Sequence, residues 1–197
     1  MPLVHKGMRV GLFGGSFNPP HEGHLLVAET AIRRLQLDQV WWMVTPGNPL
    51  KSHKELADLE TRVKLSQKIC EDPKIKITAF EAAHDLQYTA ETLQFVKSRN
   101  TGVNFVWLMG ADNLANFHHW QNWQFIAGQF PIAVIDRPGS TLSYLSSRMA
   151  KMFAKARLDE TDAKRLPFLE APAWTFLHGP RSTLSSTAIR NAAKQRK

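Results

Sequence analysis

Residues 11–30 read GLFGGSFNPPHEGHLLVAET. A short apolar run ends in the pair Gly14 and Gly15. Pro19 and Pro20 follow, then His21 and His24. Leu25, Leu26, Ala28, Ala31, Ile32 and Leu35 continue at helical spacing. The stretch predicts a buried strand, a glycine turn and the start of a helix. Glycines at such a junction let backbone come close to a ligand. The helix start adds free N–H groups and a positive dipole end, both suited to phosphate. His21 and His24 share one side of the first turn, where imidazoles donate to phosphate oxygens and stabilise developing charge. Gly23 between them leaves room for the ligand. The plain alternative is a turn carrying two surface histidines. Glycines, prolines and histidines coinciding at one strand-to-helix junction favour the phosphate reading.

A histidine pair can also hold zinc. The helical zinc string is H-E-x-x-H, and HEGH is one residue short, without an evident third ligand. Structural zinc is therefore rejected. The stretch also departs from the G-x-G-x-x-G dinucleotide fingerprint and from the Walker A loop.

The rest of the chain repeats the alternation. Strands are predicted at 8–17, 39–49, 74–80, 103–112, 131–139 and 173–180. Helices are predicted at 24–37, 56–72, 88–100, 120–130, 143–156 and 185–197, with Thr89 as the N-cap of the third. This order implies an α/β fold with a doubly wound, mainly parallel sheet, formed by one domain over 1–197. Ligands bind such sheets outside the carboxyl ends of the strands. GGSFNPPH, PGNPLKSH, GADNL, DRPG and GPRSTLSST all follow predicted strands, so they share one rim. ARLDETDAKRLPFLEAP, 156–172, reads as a polar surface excursion.

The chain has 197 residues, enough to bury a sizeable core. Its 43% hydrophobic and 21% charged residues are ordinary for a soluble protein. It lacks both a membrane-length apolar run and the apolar core of a signal peptide, and a cytoplasmic location is expected. The lone Cys70 excludes an intrachain disulfide and reads as a small core residue. The net charge of +8 attracts polyanions: nucleic acid, an acidic membrane or phosphorylated small molecules. A non-catalytic nucleic-acid binder would explain that charge, but not the histidine pair.

The other end reads GPRSTLSSTAIR. Ser185, Ser186 and Thr187 put hydroxyls at a helix start, a second anion site. Arg190 comes one turn later on the same face. Taken alone, this is as readily a cap without further function.

Together the two strings resemble a family. GGSFNPPHEGHL resembles the G-G-[ST]-F-[DN]-P-x-H-x-G-H signature of the nucleotidyltransferase superfamily, and LSSTAIR resembles its terminal S-S-T-x-[IV]-R signature. TPGNPLKSHK, YTAETL, GADNLANFHHW and DRPG resemble blocks of the bacterial nicotinate-mononucleotide adenylyltransferases. The resemblance covers nearly the whole chain and implies a Rossmann-like nucleotidyltransferase fold. It also implies an enzyme of NAD biosynthesis that joins ATP to nicotinate mononucleotide, releasing pyrophosphate. Other superfamily members, such as phosphopantetheine adenylyltransferases or cytidylyltransferases, are the near alternative; YTAETL and FHHW argue against them.

The resemblance assigns roles. His21 and His24 would contact the ATP phosphates, His24 at the transferred one. Gly14, Gly15, Ser16 and Phe17 would line the junction of the two substrates. Gly110 and Asp112 would meet ribose or base, and Ser185, Ser186, Thr187 and Arg190 the leaving phosphates. For the mononucleotide, backbone N–H groups near Tyr88 and Thr89 would bind the carboxylate, and Trp120 would stack on the pyridine. Lys51 or Lys54, Arg137 and, less directly, Arg62 would serve its phosphate. Asn18 stands where many relatives have aspartate and is expected to brace the turn. Leu50 replaces a second proline and blurs the lysine register. Magnesium is expected with ATP, held mainly by phosphates and water, with no protein ligand named. The implied partners are these small molecules, with neither nucleic acid nor membrane; the sequence leaves oligomeric state open.

Overall fold

A computed structural model describes residues 1–47, 56–138 and 143–195. Six strands form one sheet: β1 (Arg9–Gly15), β2 (Gln39–Val44), β3 (Ile75–Thr78), β4 (Asn104–Gly110), β5 (Ile132–Ile135) and β6 (Trp174–Leu177). All adjacent pairs are parallel, in the order β3-β2-β1-β4-β5-β6. The helices are α1 (Glu22–Leu35), α2 (Leu59–Ile69), α3 (Phe80–Ala83), α4 (Thr89–Arg99), α5 (Ala111–Leu114), α6 (Trp123–Gln129), α7 (Arg148–Met152) and α8 (Ser186–Gln195). The doubly wound α/β expectation is met, and the sheet is parallel throughout. No helix among the described residues is long and apolar enough to cross a membrane.

The strands are apolar on both faces because both are covered, as parallel sheets require. Side chains alternate with period two. Val10, Leu12, Trp41, Met43, Phe105 and Trp107 pack in one layer, with residues of α4, α6 and α7. Phe13, Val40, Trp42, Val44, Val106 and Leu108 pack in the other, with α1. The neighbouring Trp41 and Trp42 thus belong to opposite cores, and both are fully buried. Cys70 caps the end of α2 and packs on the second core, as expected of a small apolar residue.

One expectation needs correction. The stretch 156–172 is no mere surface excursion, because Glu160–Phe168 forms a 3-10 helix with Ala163 and Leu166 in the α1-side core. Its apolar residues Ala163, Leu166 and Leu169 recur every third position, which matches the 3-10 repeat and escapes a search at 3.6. Glu160 fastens the start of this segment, accepting hydrogen bonds from Arg34 Nη2 at 3.1 Å and His178 N at 3.1 Å.

Trp42 lies 4.6 Å from the Phe17 ring and 5.5 Å from the Phe13 ring, centre to centre. Both phenylalanines belong to the glycine-turn region, so this core supports the rim directly. Trp42→Ala should destabilise the protein by about 3–5 kcal/mol, as for large aromatic truncations in packed cores. Denaturant unfolding of both proteins checks this, and a loss below about 1 kcal/mol would contradict the packing role.

Candidate active site

The winding reverses between β1 and β4, where a crevice opens at the strands' carboxyl ends. A cleft of about 960 Å³ occupies this place. Gly14, Gly15, Ser16, Phe17, His21 and His24 line it after β1, and Gly110 and Asp112 after β4. Tyr88, Thr89 and Trp120 line it from the β3–β4 and β4–β5 connections, Arg137 from beyond β5, and Ser185, Ser186, Thr187 and Arg190 from the C-terminal end. Apart from Arg62, the described site candidates therefore converge on one cleft. Lys51 and Lys54 lie outside the described residues.

His21 is the N-cap of α1, and its Nδ1 accepts from Gly23 N at 3.1 Å. His24 Nδ1 accepts from His21 N at 3.2 Å. Each Nδ1 is thus an acceptor, so a neutral ring carries its proton on Nε2 and is a donor there. The rings lie 3.8 Å apart, centre to centre. Burial lowers the His21 pKa to about 4, with the nearby Arg137 charge acting in the same direction and Asp112 opposing. His21 is therefore a neutral donor at physiological pH. Phe17 meets His24 edge-on at 5.0 Å and holds a left-handed backbone with φ of 46°. That conformation is costly for a bulky residue and is kept where surrounding structure enforces it. Here Phe13 and Trp42 enclose the ring.

The room that Gly23 leaves is taken by a side chain of the protein itself. A Cβ there would collide with Arg137 Nη1 and press on the His21 ring. The guanidinium occupies the space that the missing side chain vacates. Arg137 Nε lies 3.8 Å from Asp112 Oδ1, and Nη2 donates to Leu184 O at 3.3 Å. Arg137 thus bridges the first turn of α1, the end of β4 and the approach to α8.

The two ends of the chain are fastened together. Ser186 Oγ donates to Pro19 O at 2.9 Å, and Arg190 Nη1 donates to Asn18 O. Arg190 Nη2 lies 3.3 Å from Thr187 Oγ1, and Ser185 Oγ accepts from Ala188 N in the first turn of α8. Asn18 also accepts from Ala57 N at 3.2 Å through Oδ1, in keeping with its expected bracing role. The side chain of Asp136 is fully buried at the end of β5 and pairs with Arg181, anchoring the segment before α8.

Sequence reasoning misplaced Arg62. It was a substrate-phosphate candidate, but it is 1% exposed. Its Nε donates to Ala57 O at 2.9 Å and Nη1 to Ser16 O at 2.8 Å and Thr45 O at 2.7 Å. Its Nη2 donates to Pro46 O at 3.1 Å. Arg62 ties the glycine turn to the end of β2 instead. The N-cap of α4 is likewise Tyr88 rather than Thr89, and Glu91 accepts from Gln87 N and Tyr88 N. Trp107 is 2% exposed yet also lines the cleft. Glu81 and Gln121 line it too and carried no motif signal, and His119, within FHHW, lines it without having been assigned a role.

The cytidylyltransferase-like family profile matches residues 12–192. The chain belongs to this family. A Mesorhizobium japonicum protein, "Probable nicotinate-nucleotide adenylyltransferase", is 67% identical, over 98% of this chain and 100% of its own length. A Rhizobium meliloti protein of the same description is 66% identical, over 94% of this chain and 98% of its own length. The chain is therefore a member of the nicotinate-nucleotide adenylyltransferases within that family. Its fold is similar to that of Plasmodium falciparum nicotinic acid mononucleotide adenylyltransferase complexed with NaAD. That match has a TM-score of 0.69 at 18% identity, over 95% of this chain and 83% of the other.

The geometry makes Arg62 a positioning residue. Arg62→Lys should cost at least about 2 kcal/mol, because three ammonium donors cannot serve four carbonyls that lie around a planar fork. Chemical unfolding measures the loss, and stability equal to the unaltered protein would refute the tie.

Proposed function

We propose that this enzyme joins ATP to nicotinate mononucleotide, giving nicotinic acid adenine dinucleotide and pyrophosphate. The observation that carries the proposal is the meeting of two phosphate-type motifs, His21/His24 and Ser185–Arg190, in one switch-point cleft. A mononucleotide phosphate oxygen attacks the α-phosphorus of ATP. The new P–O bond replaces the bond to the bridging oxygen, which leaves with pyrophosphate. No enzyme nucleophile takes part, so the protein contributes orientation and charge stabilisation.

In this reading the two imidazoles donate from Nε2 to oxygens of the phosphorus under attack. They supply directed hydrogen bonds, as neutral histidines can at a developing oxyanion. Arg137, bridging α1 and the α8 approach, adds positive charge where the two substrates' phosphates meet. Gly14, Gly15, Ser16 and Phe17 shape this junction, and Lys51 remains the proposed additional contact for the mononucleotide phosphate. The α8 start and Arg190 hold the departing phosphates, while Gly110 and Asp112 face the nucleoside. The first turn of α4 presents N–H groups to the nicotinate carboxylate. Trp120, edge-on to Trp107 and Phe117, offers a braced ring for the pyridine.

ATP would bring magnesium, which neutralises phosphate charge. Among the described residues no three His, Cys, Asp or Glu side chains converge as a metal site. Asp112 is the carboxylate beside the histidines that lines the cleft. This donor set suits a cation held chiefly by the triphosphate.

Pyrophosphate release tests the reaction, with ATP and magnesium fixed and nicotinate mononucleotide, nicotinamide mononucleotide and phosphopantetheine compared. Release with a pyridine mononucleotide is expected, and its absence with both would refute the proposal. His24→Ala should lower turnover at least about 100-fold, the usual scale for losing one charge-stabilising donor. An unchanged rate removes His24 from the chemistry.

Trp120→Ala should chiefly raise the KM for the mononucleotide. Steady-state kinetics with each substrate varied in turn checks this, and an effect confined to ATP contradicts the stacking role.

A further inference from the structure

Glu81 is a carboxylic acid in the wall of the cleft to which the proposed reading assigns two anionic substrates. It is 6% exposed and lines the cleft with Tyr88, Thr89 and Trp120. One oxygen, Oε1, accepts from Thr92 Oγ1 at 2.6 Å. The other, Oε2, is buried and lacks a hydrogen-bond partner among the described residues. A buried polar atom without a partner is costly and calls for an explanation. Thr92 is one turn into α4, so the carboxyl group rests against the helix start assigned above to the nicotinate carboxylate. Two ionised carboxylates cannot share such a site, but a pair holding one proton can.

We propose that Glu81 is a specificity-determining residue: its carboxyl group, protonated, donates from Oε2 to the carboxylate of the pyridine mononucleotide. The inference rests on the substrate reading above. In the neutral form Glu81 is a donor and suits the acid. In the ionised form it is an acceptor only and suits the amide –NH2 instead. Discrimination between acid and amide therefore depends on one proton.

The surroundings favour the neutral form. Burial pushes the Glu81 pKa up to about 7, against the opposing hydrogen bond from Thr92. Among the described residues, His84 and Asp85 follow its own short helix, the N-cap Tyr88 and Glu91 belong to the start of α4, and His119 also lines the cleft. Glu91 is engaged with the backbone of Gln87 and Tyr88. Charge interactions with these groups are not among the causes of the shift. The proton is thus held by exclusion of water, and its loss begins near neutrality.

The test is the ratio of kcat/KM for nicotinate over nicotinamide mononucleotide, measured by pyrophosphate release from pH 6 to 9. Both substrates carry the same phosphate and meet the same ATP, so those titrations cancel in the ratio. With the unaltered protein the ratio should fall as pH rises through about 7. Its limiting slope is about tenfold per pH unit, that of a single proton. In Glu81→Gln the side-chain amide donates at every pH, so the ratio should be flat. A flat ratio in the unaltered protein overturns the inference while leaving the adenylyltransferase reading intact. So does a variant that keeps the unaltered slope. Absence of release with both mononucleotides removes both readings together. The slope of the unaltered protein is decisive even if Glu81→Gln folds poorly.

Discussion

The reversal of winding between β1 and β4 is the constraint on which the rest depends. Chain leaving β1 runs along one face to β2, and chain leaving β4 runs along the other face to β5. The two departing segments diverge, and a cleft opens between them at the carboxyl ends. Close packing around that crevice is strict. Phe13, Phe17 and Trp42 fill the space under the glycine turn, and Arg62 secures it from the α2 side. The chemistry-bearing side chains are consequently supported by packed core and by backbone hydrogen bonds, rather than by flexible surface loops alone.

Within the crevice, protonation is governed by water exclusion as much as by charge. His21 is kept neutral mainly by burial, with Arg137 reinforcing it. Glu81 is pushed toward neutrality by burial alone, since its one hydrogen bond acts the other way. The two groups lie on opposite sides of the cleft's function, one with phosphates and one with a pyridine carboxylate in the proposed reading. In that reading each is a neutral donor facing an anion. A neutral donor stabilises an anion by direction and proximity and adds no charge to desolvate. Permanent positive charge comes instead from Arg137 and Arg190, whose guanidinium groups also bond to backbone carbonyls.

Sequence made the α/β order, the parallel sheet and the shared rim legible because these follow from hydrophobic period and from glycine placement. The paired motifs at the two chain ends were legible for a different reason: a hydroxyl-rich helix start alone is as readily a cap, but the two strings together match a family signature. What stayed hidden depends on three-dimensional partners. Arg62 has no signature that separates a carbonyl-binding arginine from a phosphate-binding one; its role appears only when Ser16, Thr45 and Pro46 are brought around it. Gly23 looked like clearance for a ligand, and the fold fills that clearance with Arg137. Glu81 lies in a stretch without motif, and its unpartnered oxygen is visible only once α4 is packed beside it. The 160–168 segment was hidden by its three-residue repeat and by Pro167 within it.

The fastening of α8 to the glycine turn explains how the two motifs come to share one cleft despite their separation in sequence. None of the α8 residues is buried, so apolar packing supplies little to hold the helix in place. Its position relies on Ser186 donating to Pro19 and Arg190 donating to Asn18. Both acceptors belong to the loop that leads into His21. Displacement of α8 would therefore disturb the first phosphate motif as well as the second. Asp136 strengthens this coupling from below, since its buried carboxylate holds Arg181 on the segment that leads into α8. A helix with so little buried surface can be kept at a site only where specific polar contacts replace burial, and here those contacts end on the very loop whose geometry the chemistry requires.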